Sequence, residues 1–239
     1  RVPNADWIPS NHRGLVLCDA TSAVFGQKLD WGKLDAITFS WQKAMGGEGA
    51  HGMLVLSPKA VRRLETYTPK RPLPKVFRLV KDGKLMEGIF SGETINTPSM
   101  FCVADALDSL NWIKKLGGLD QTVARATKNF QTIQAWLDTQ YWIDNLVAAD
   151  MHRSNTSVCL KIVAKEFLVY SEDKQHQFIN YFVSLLEVEM VAYDIAGHRE
   201  APPGLRIWCG ATIENEDLRR LLPWLEWAFE HSKMTFSKV

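Results

Sequence analysis

Two side chains pose the chemical question in this sequence. Asp19 ends the apolar run Gly14-Leu15-Val16-Leu17-Cys18-Asp19, and Lys43 ends a second, Ala36-Ile37-Thr38-Phe39-Ser40-Trp41-Gln42-Lys43. Each reads as a residue at the carboxyl end of a strand. A lysine amine can condense with an aldehyde, and a carboxylate can keep a heterocyclic nitrogen protonated. Ala20-Thr21-Ser22 follows Asp19, and Ala44-Met45-Gly46-Gly47-Glu48-Gly49 follows Lys43, so backbone can come close to a flat ligand at both places. On spacing alone the pair is a weak signal, because Asp and Lys after strands are ordinarily solvated rim residues.

Pyridoxal phosphate is a cofactor that needs this amine and this carboxylate together. Lys43 would hold it as a Schiff base and, once displaced by the substrate amine, would move the α-proton. Arginine, permanently protonated, could do neither. Asn96 and Thr97, within Glu93-Thr94-Ile95-Asn96-Thr97-Pro98-Ser99, offer an amide and a hydroxyl beside a helix start. Free backbone donors and the helix dipole bind phosphate at such a place. A simple cap by Thr97, with Pro98 at the first helical position, is compatible with that reading. Arg206 sits inside the apolar segment Gly204-Leu205-Arg206-Ile207-Trp208 and therefore requires an anion. The anion is either a structural carboxylate or the carboxylate of a substrate. Gly197-His198-Arg199 adds a second permanent positive charge and a switchable one, which suits a substrate with two anionic groups.

The 239 residues are 46% hydrophobic and 23% charged, an ordinary globular composition with enough apolar mass for one or two domains. The net charge of +1 and the absence of a run of like charge argue for neither nucleic acid nor an acidic partner. No segment approaches the about 18 uninterrupted apolar residues of a membrane span, and no signal peptide is visible. Cys18, Cys102, Cys159 and Cys209 have apolar neighbours and no paired spacing, so four buried free thiols in a reducing cytoplasm are expected rather than a metal site. The opening Arg1-Val2-Pro3-Asn4 does not read as a domain start, and an N-terminal portion is expected to precede it.

Strands are expected over 14–19, 35–40 and 52–57, with a helix from Pro58 to about Tyr67. The Pro-, Gly- and Lys-rich stretch 68–97 reads as a long loop or arm. Pro98 then opens a helix expected to face inward along Phe101, Ala104, Leu107 and Leu110 and to stop at Gly117-Gly118. A second helix covers 119–137, with Val123, Ala126, Phe130, Ile133 and Leu137 at helical spacing. Beyond it lie a strand at 156–163, a helix at 173–186, a strand at 204–210 and a helical region at 214–232 that Pro223 should kink or restart. The architecture is α/β, with domains at 1–117 and 118–239 divided at the two glycines.

Five segments, Cys18-Asp19-Ala20-Thr21-Ser22-Ala23, Ser40-Trp41-Gln42-Lys43, Asn96-Thr97-Pro98, Gly197-His198-Arg199 and Gly204-Leu205-Arg206, together resemble the phosphoserine aminotransferase family. This family lies within class V of the fold-type I pyridoxal phosphate enzymes, and the resemblance runs in the family's order through nearly the whole chain. It implies a large domain with a mostly parallel sheet, partial here, followed by a small α+β domain. By the same resemblance Lys43 is the Schiff-base lysine, Asp19 the partner of the pyridine nitrogen, and Gln42 a neighbour of the cofactor phosphate. Thr21 and Ser22 fall close to the ring. Asn96 and Thr97 reach the phosphate of a neighbouring subunit in a homodimer with shared sites. Arg206 clamps the substrate α-carboxylate, while His198 and Arg199 contact the substrate phosphate. The implied reaction moves an amino group from glutamate to 3-phosphohydroxypyruvate, giving phosphoserine in serine biosynthesis by a ping-pong scheme in the cytoplasm. The first half of the family's large domain has no counterpart here, so these residues alone are expected to retain cofactor weakly and to expose apolar faces. Two alternatives stand beside this reading: a serine– or alanine–glyoxylate aminotransferase, and an inactive chain acting only in dimerisation or binding.

Overall fold

In the computed structural model, which describes residues 5–237, the apolar runs bearing the two chemical residues become neighbouring strands. The opening residues 1–4 lie outside the described part. Strand β1 (Leu17–Asp19) pairs in parallel with β2 (Ala36–Phe39), placing Asp19 opposite Thr38. Strand β3 (Met53–Leu56) joins the other edge of β2 and runs antiparallel, Ala36 opposite Leu56. A parallel return needs a crossover, and the glycine-rich link before β3 contains no helix. Met53, Leu54 and Val55 are all exposed, so both faces of β3 lack cover, as expected of a partial sheet.

Helix α1 (Pro58–Thr66) begins where Ser57 accepts a hydrogen bond from the Ala60 N–H and Pro58 takes the first position. The arm at 68–97 is more ordered than its composition suggests. Strands β4 (Val80–Lys81) and β5 (Lys84–Leu85) form a hairpin around Asp82-Gly83, both at positive φ, and a one-turn helix α2 (Glu87–Phe90) follows.

Helix α3 (Met100–Leu116) buries Ala106, Ser109 and Ile113. The expected inward stripe is the outward one: Phe101 is 79% and Leu107 56% exposed. Small residues face inward because the turn after Lys43 packs there, with Gly47 and Glu48 against Asp105. Gly117 and Gly118, both at positive φ, end α3 as expected.

The chain divides into two compact bodies, one holding residues 5–24 and 29–114, the other 25–28 and 115–237 of the described part. The second body contains α4 (Leu119–Leu137), β6 (Ile143–Asn145), β7 (Ser157–Ile162), a short α5 (Lys165–Leu168), α6 (Glu172–Val188), β8 (Gly204–Trp208) and α7 (Asn215–Phe236). Its antiparallel sheet has the order β6-β7-β8, and its burial alternates strictly along β7, one face packed and one open. The packed face, with α4, α6 and α7, closes one core in which Trp142 stacks on Phe229 at 4.2 Å and Phe182 is fully buried. Helix α7 continues through Pro223 without a break, contrary to expectation. Pro223 lies on the exposed side while Leu222 and Leu225 flank it in the core, so packing outweighs the missing backbone donor.

Each body has a buried polar anchor. In the first, Asp35 is only 6% exposed, and its carboxylate accepts hydrogen bonds from the Val16 N–H (2.9 Å) and Ser57 O–H (2.7 Å) beside the Lys59 ammonium (3.6 Å). Burial pushes this carboxyl up, but those donors and the charges of Lys59 and His12 hold it below the usual range. In the second, fully buried Asn129 on α4 donates to the carbonyls of Cys209 (3.2 Å), Gly210 (3.3 Å) and Ile213 (2.9 Å), fastening the segment between β8 and α7. The four cysteines are free thiols, but only Cys209 is buried, and burial pushes its thiol up to about 12. Replacing Asn129 with Leu removes the donor shared by three carbonyls, and urea unfolding should show a loss of about 2–4 kcal/mol. A loss under about 0.5 kcal/mol, the range of a neutral surface change, would show the anchor to be dispensable.

Candidate active site

Asp19 is exposed at the end of β1, where the ladder continues into Ala20 N–H donating to the Thr38 carbonyl at 2.8 Å. The chain then turns tightly, with the Ala23 and Val24 N–H groups both donating to the Ala20 carbonyl. This turn folds Thr21 back onto Asp19: one carboxylate oxygen accepts from the Thr21 hydroxyl at 2.6 Å and from its N–H at 3.0 Å. The hydroxyl first, and the N–H second, hold the Asp19 carboxyl below its ordinary range against a smaller opposing effect of burial. Asp19 is therefore a committed anion at neutral pH, and Ser22 lies half-buried in the same turn.

Lys43 is half-buried just beyond β2, with exposed Gln42 before it. Its carbonyl accepts the Gly46 N–H at 3.0 Å, and the Trp41 carbonyl accepts the Gly47 N–H at 3.0 Å. Gly46 takes a positive φ of 75°, which a side chain would resist. A Cβ on Gly47 would fall 2.9 Å from the Asp105 carboxylate, whose oxygen accepts the Glu48 N–H at 2.8 Å. Asp105 on α3 thus pins the turn that follows the lysine. The His51 ring lies 4.9 Å from Trp41, and two buried atoms flanking Lys43 in sequence, Ser40 Oγ and His51 Nδ1, have no hydrogen-bond partner.

Asn96 and Thr97 are exposed ahead of α3. The helix starts later than expected, at Met100, and Ser99 accepts the Cys102 N–H at 3.4 Å, so the capping hydroxyl is that of Ser99 and not Thr97.

Arg206, His198 and Arg199 belong to the second body. Arg206 lies on the half-open face of β8, opposite Cys159 of β7. The segment before it is drawn alongside by the Ala196–Leu205 bridge, by Arg206 N–H donating to the Ile195 carbonyl (2.8 Å) and by Gly197 N–H donating to the Gly204 carbonyl (2.9 Å). His198 and Arg199 are thereby tethered next to β8, both exposed. Arg206 does have a carboxylate partner, Asp194 at 3.5 Å, which the sequence reading did not single out. Asp194 adopts a positive φ of 53°, and its side chain is 90% exposed. An ion pair so open to water is worth about 0–1 kcal/mol, too little to hold the guanidinium against a well-placed ligand carboxylate. The missed residues, Asp194, Asp35 and Asp105, share one trait: each is an acid whose partner is set by the folded chain and not by a local motif.

No family model matches the chain. It is 52% identical over 230 residues to the phosphoserine aminotransferase of Methanosarcina mazei, an alignment covering 96% of this chain and 60% of that protein. Over nearly its whole length the chain is similar to phosphoserine aminotransferases. It spans about 60% of the length of the two Methanosarcina relatives it matches at 52% identity. Its fold is similar to a solved phosphoserine aminotransferase from Bacillus circulans subsp. alkalophilus, with a TM-score of 0.69 and 21% identity over 95% of this chain and 55% of that one. It is similar as well to a pyridoxal phosphate-bound phosphoserine aminotransferase from Trichomonas vaginalis, with a TM-score of 0.64 and 17% identity over 90% of this chain and 55% of that one.

The family's cofactor can be tested against these side chains. A committed anion at a strand end, a lysine just beyond the next strand, glycines that bring backbone close, and unpartnered buried polar atoms flanking that lysine in sequence all fit pyridoxal phosphate. Thr21→Val removes the stronger of the two bonds that depress Asp19. Its protonation midpoint, followed by NMR of the carboxyl carbon, should rise toward about 3.9. The sign follows from linkage: a depressed carboxylate contributes stability that is present above about pH 4 and lost as pH falls, and the variant has less to lose. An unchanged midpoint would separate Thr21 from the charge state of Asp19.

Proposed function

We propose that this chain carries the lysine, the ring-facing carboxylate and the substrate clamp of an aminotransferase that uses pyridoxal phosphate to move an amino group from glutamate to 3-phosphohydroxypyruvate, forming phosphoserine. The observation that carries this is the 52% identity to the Methanosarcina mazei enzyme across 96% of the chain, which includes Asp19, Lys43 and Arg206. When bound, pyridoxal phosphate supplies an aldehyde for amine exchange and a protonated ring that withdraws electrons from the substrate α-carbon.

Lys43 would hold that group through Nζ, and the same amine, once released, would carry the proton at the substrate α-carbon. Asp19, kept anionic by Thr21, would stabilise the protonated ring nitrogen. Gln42, Thr21 and Ser22 would make polar contacts to the group. Asn96 and Thr97 would serve the phosphate of a partner subunit's site, which makes a homodimer part of the proposal. Arg206 would exchange its open pairing with Asp194 for the substrate α-carboxylate, gaining the two parallel bonds that a guanidinium fork allows. His198 and Arg199 would take the substrate phosphate. A division into a large domain through residue 117 and a small domain from 118 is supported by the two compact bodies, though 25–28 joins the second. Among the described residues no helix is long and apolar enough to cross a membrane, and a biosynthetic role in the cytoplasm belongs to this proposal.

The purified protein, incubated with pyridoxal phosphate and reduced with borohydride, should carry the added mass on the peptide containing Lys43, and Lys43→Ala should lose both the label and about 10³-fold in kcat. A protein that remains unlabelled and colourless would favour a binding-only chain. Arg199→Ala should raise KM for 3-phosphohydroxypyruvate about 10–100-fold, the scale of a lost charge-assisted pair, and KM for glutamate far less. Equal effects on the two substrates would remove the phosphate assignment and leave a glyoxylate-type aminotransferase as the reading.

A further inference from the structure

We infer that Asp35 is the positioning residue for the Asp19–Lys43 pair: one buried carboxylate sets the register of β1 against β2 and so fixes where both chemical groups emerge from the sheet. The inference rests on the reading of Asp19 and Lys43 given above.

The two strands diverge from a common origin at Asp35. It directly precedes β2, which leads through Phe39 to Gln42 and Lys43. At the same residue the backbone and the side chain together occupy both hydrogen-bonding groups of Val16, the residue that precedes β1. The Asp35 N–H donates to the Val16 carbonyl at 2.9 Å, and the Asp35 carboxylate accepts the Val16 N–H at 2.9 Å. On its other side Asp35 holds the end of β3, since its carbonyl accepts the Ser57 N–H at 2.8 Å and its carboxylate accepts the Ser57 hydroxyl at 2.7 Å. Lys59 completes the node. Its ammonium lies 3.6 Å from the carboxylate and donates to the carbonyls of Gly14 (2.6 Å) and His12 (3.2 Å), gripping the chain on its way into β1.

This matters because β1 is short. Among the described residues it has three residues and a single neighbouring strand, so that ladder offers only the pairings of Leu17, Cys18 and Asp19. A slip of one residue would move Asp19 by about 3.3 Å along the strand and turn it to the opposite face. Three ladder pairs resist such a slip weakly, whereas a buried carboxylate deprived of its donors resists it strongly. A well-packed apolar residue at position 35 would be less costly for stability, but it would not specify the register.

The test compares the wild-type protein with Asp35→Asn and, as a milder change, Ser57→Ala. Four quantities are read: amide exchange at Cys18 and Ala20, affinity for pyridoxal phosphate by absorbance, the borohydride-fixed yield at Lys43, and kcat. Asp35→Asn should speed exchange at those two amides at least about tenfold while leaving the Leu160 and Arg206 amides of the other sheet unchanged. It should also weaken pyridoxal phosphate binding and lower kcat by about 10–100-fold, the cost of a misplacement on the ångström scale. Ser57→Ala should move the same readouts less and in the same direction, and it decides the matter if Asp35→Asn does not fold. Variants that exchange faster or melt earlier yet bind cofactor and label Lys43 like the wild type would show Asp35 to be a fold anchor only. Failure of the wild-type protein to label at Lys43 would remove the site reading and this inference with it. Normal wild-type labelling with unaltered variants would remove the inference alone.

Discussion

The parallel register of β1 on β2 is the constraint from which the chemistry of the first body follows. Asp19 and Lys43 are far apart in sequence and share no turn, so only the pairing of Leu17 with Ala36 and Asp19 with Thr38 relates the carboxylate to the strand that leads to the amine. Hydrogen bonds of a ladder are individually worth about 1 kcal/mol net and do not distinguish one register from the next. The distinction comes from side chains that lose much more when displaced. Asp35 does this at the start of the strands, Thr21 fixes the orientation of the carboxylate at their end, and Asp105 holds the turn after the lysine. Asp35 and Asp105 are carboxylates that accept backbone N–H groups, and Thr21 donates its hydroxyl to the Asp19 carboxylate; such bonds are a more directional restraint than apolar packing.

The second body solves a different problem with the same tool. Its sheet must present Arg206 on an open face while the other face closes a dense aromatic core. Antiparallel pairing with period-two alternation achieves that along β7 and β8, where Val158, Leu160, Leu205 and Ile207 face the core while Cys159 and Arg206 share the open face. The connection from β8 into α7 then has to leave the sheet without stranding its carbonyls, and Asn129 supplies their donor from α4. Arg125 supports the same segment one turn earlier on α4, donating to the Ala211 carbonyl at 2.9 Å and pairing with Glu214.

Much of this was legible in the sequence, and the exceptions share a cause. Helix α4 was readable to its ends because Gly117-Gly118 supply the left-handed conformations that stop one helix before the next begins. Strands β1, β2, β3, β7 and β8 were readable as apolar runs, each shorter in the structure than in the sequence reading because pairing partners end before the runs do. The face of α3 was misjudged because apolar residues occur all round it. The buried face carries Ala106, Ser109 and Ile113, and Gly47 comes close to the helix at Asp105 and Ser109. Strand β6 has three residues, below what periodicity can register, and the hairpin at Asp82-Gly83 lay inside a stretch read only for its composition. Of the candidate site, Asp19, Lys43 and Arg206 could be picked out as polar residues ending or interrupting apolar runs. Asp35 ends no run and stands in none of the family's motifs; its meaning depends on Val16, Ser57 and Lys59, which only the folded sheet assembles around it.

The strand carrying Arg206 shows how closely residue type can be dictated from both ends of a short segment. Two residues before Arg206, a Cβ at Gly204 would fall 2.1 Å from the Leu160 carbonyl, a backbone atom that cannot move aside. Position 204 therefore excludes every side chain, for reasons of backbone approach alone. Position 206 faces outward on the same side of the strand and requires a side chain that bridges an apolar sheet to an anion at its surface. Lysine would reach as far, but it would bring a point charge in place of a planar fork of donors. Asp194 occupies that fork loosely, through a carboxylate almost wholly in water. A pair so open to water adds little to stability and is easily broken.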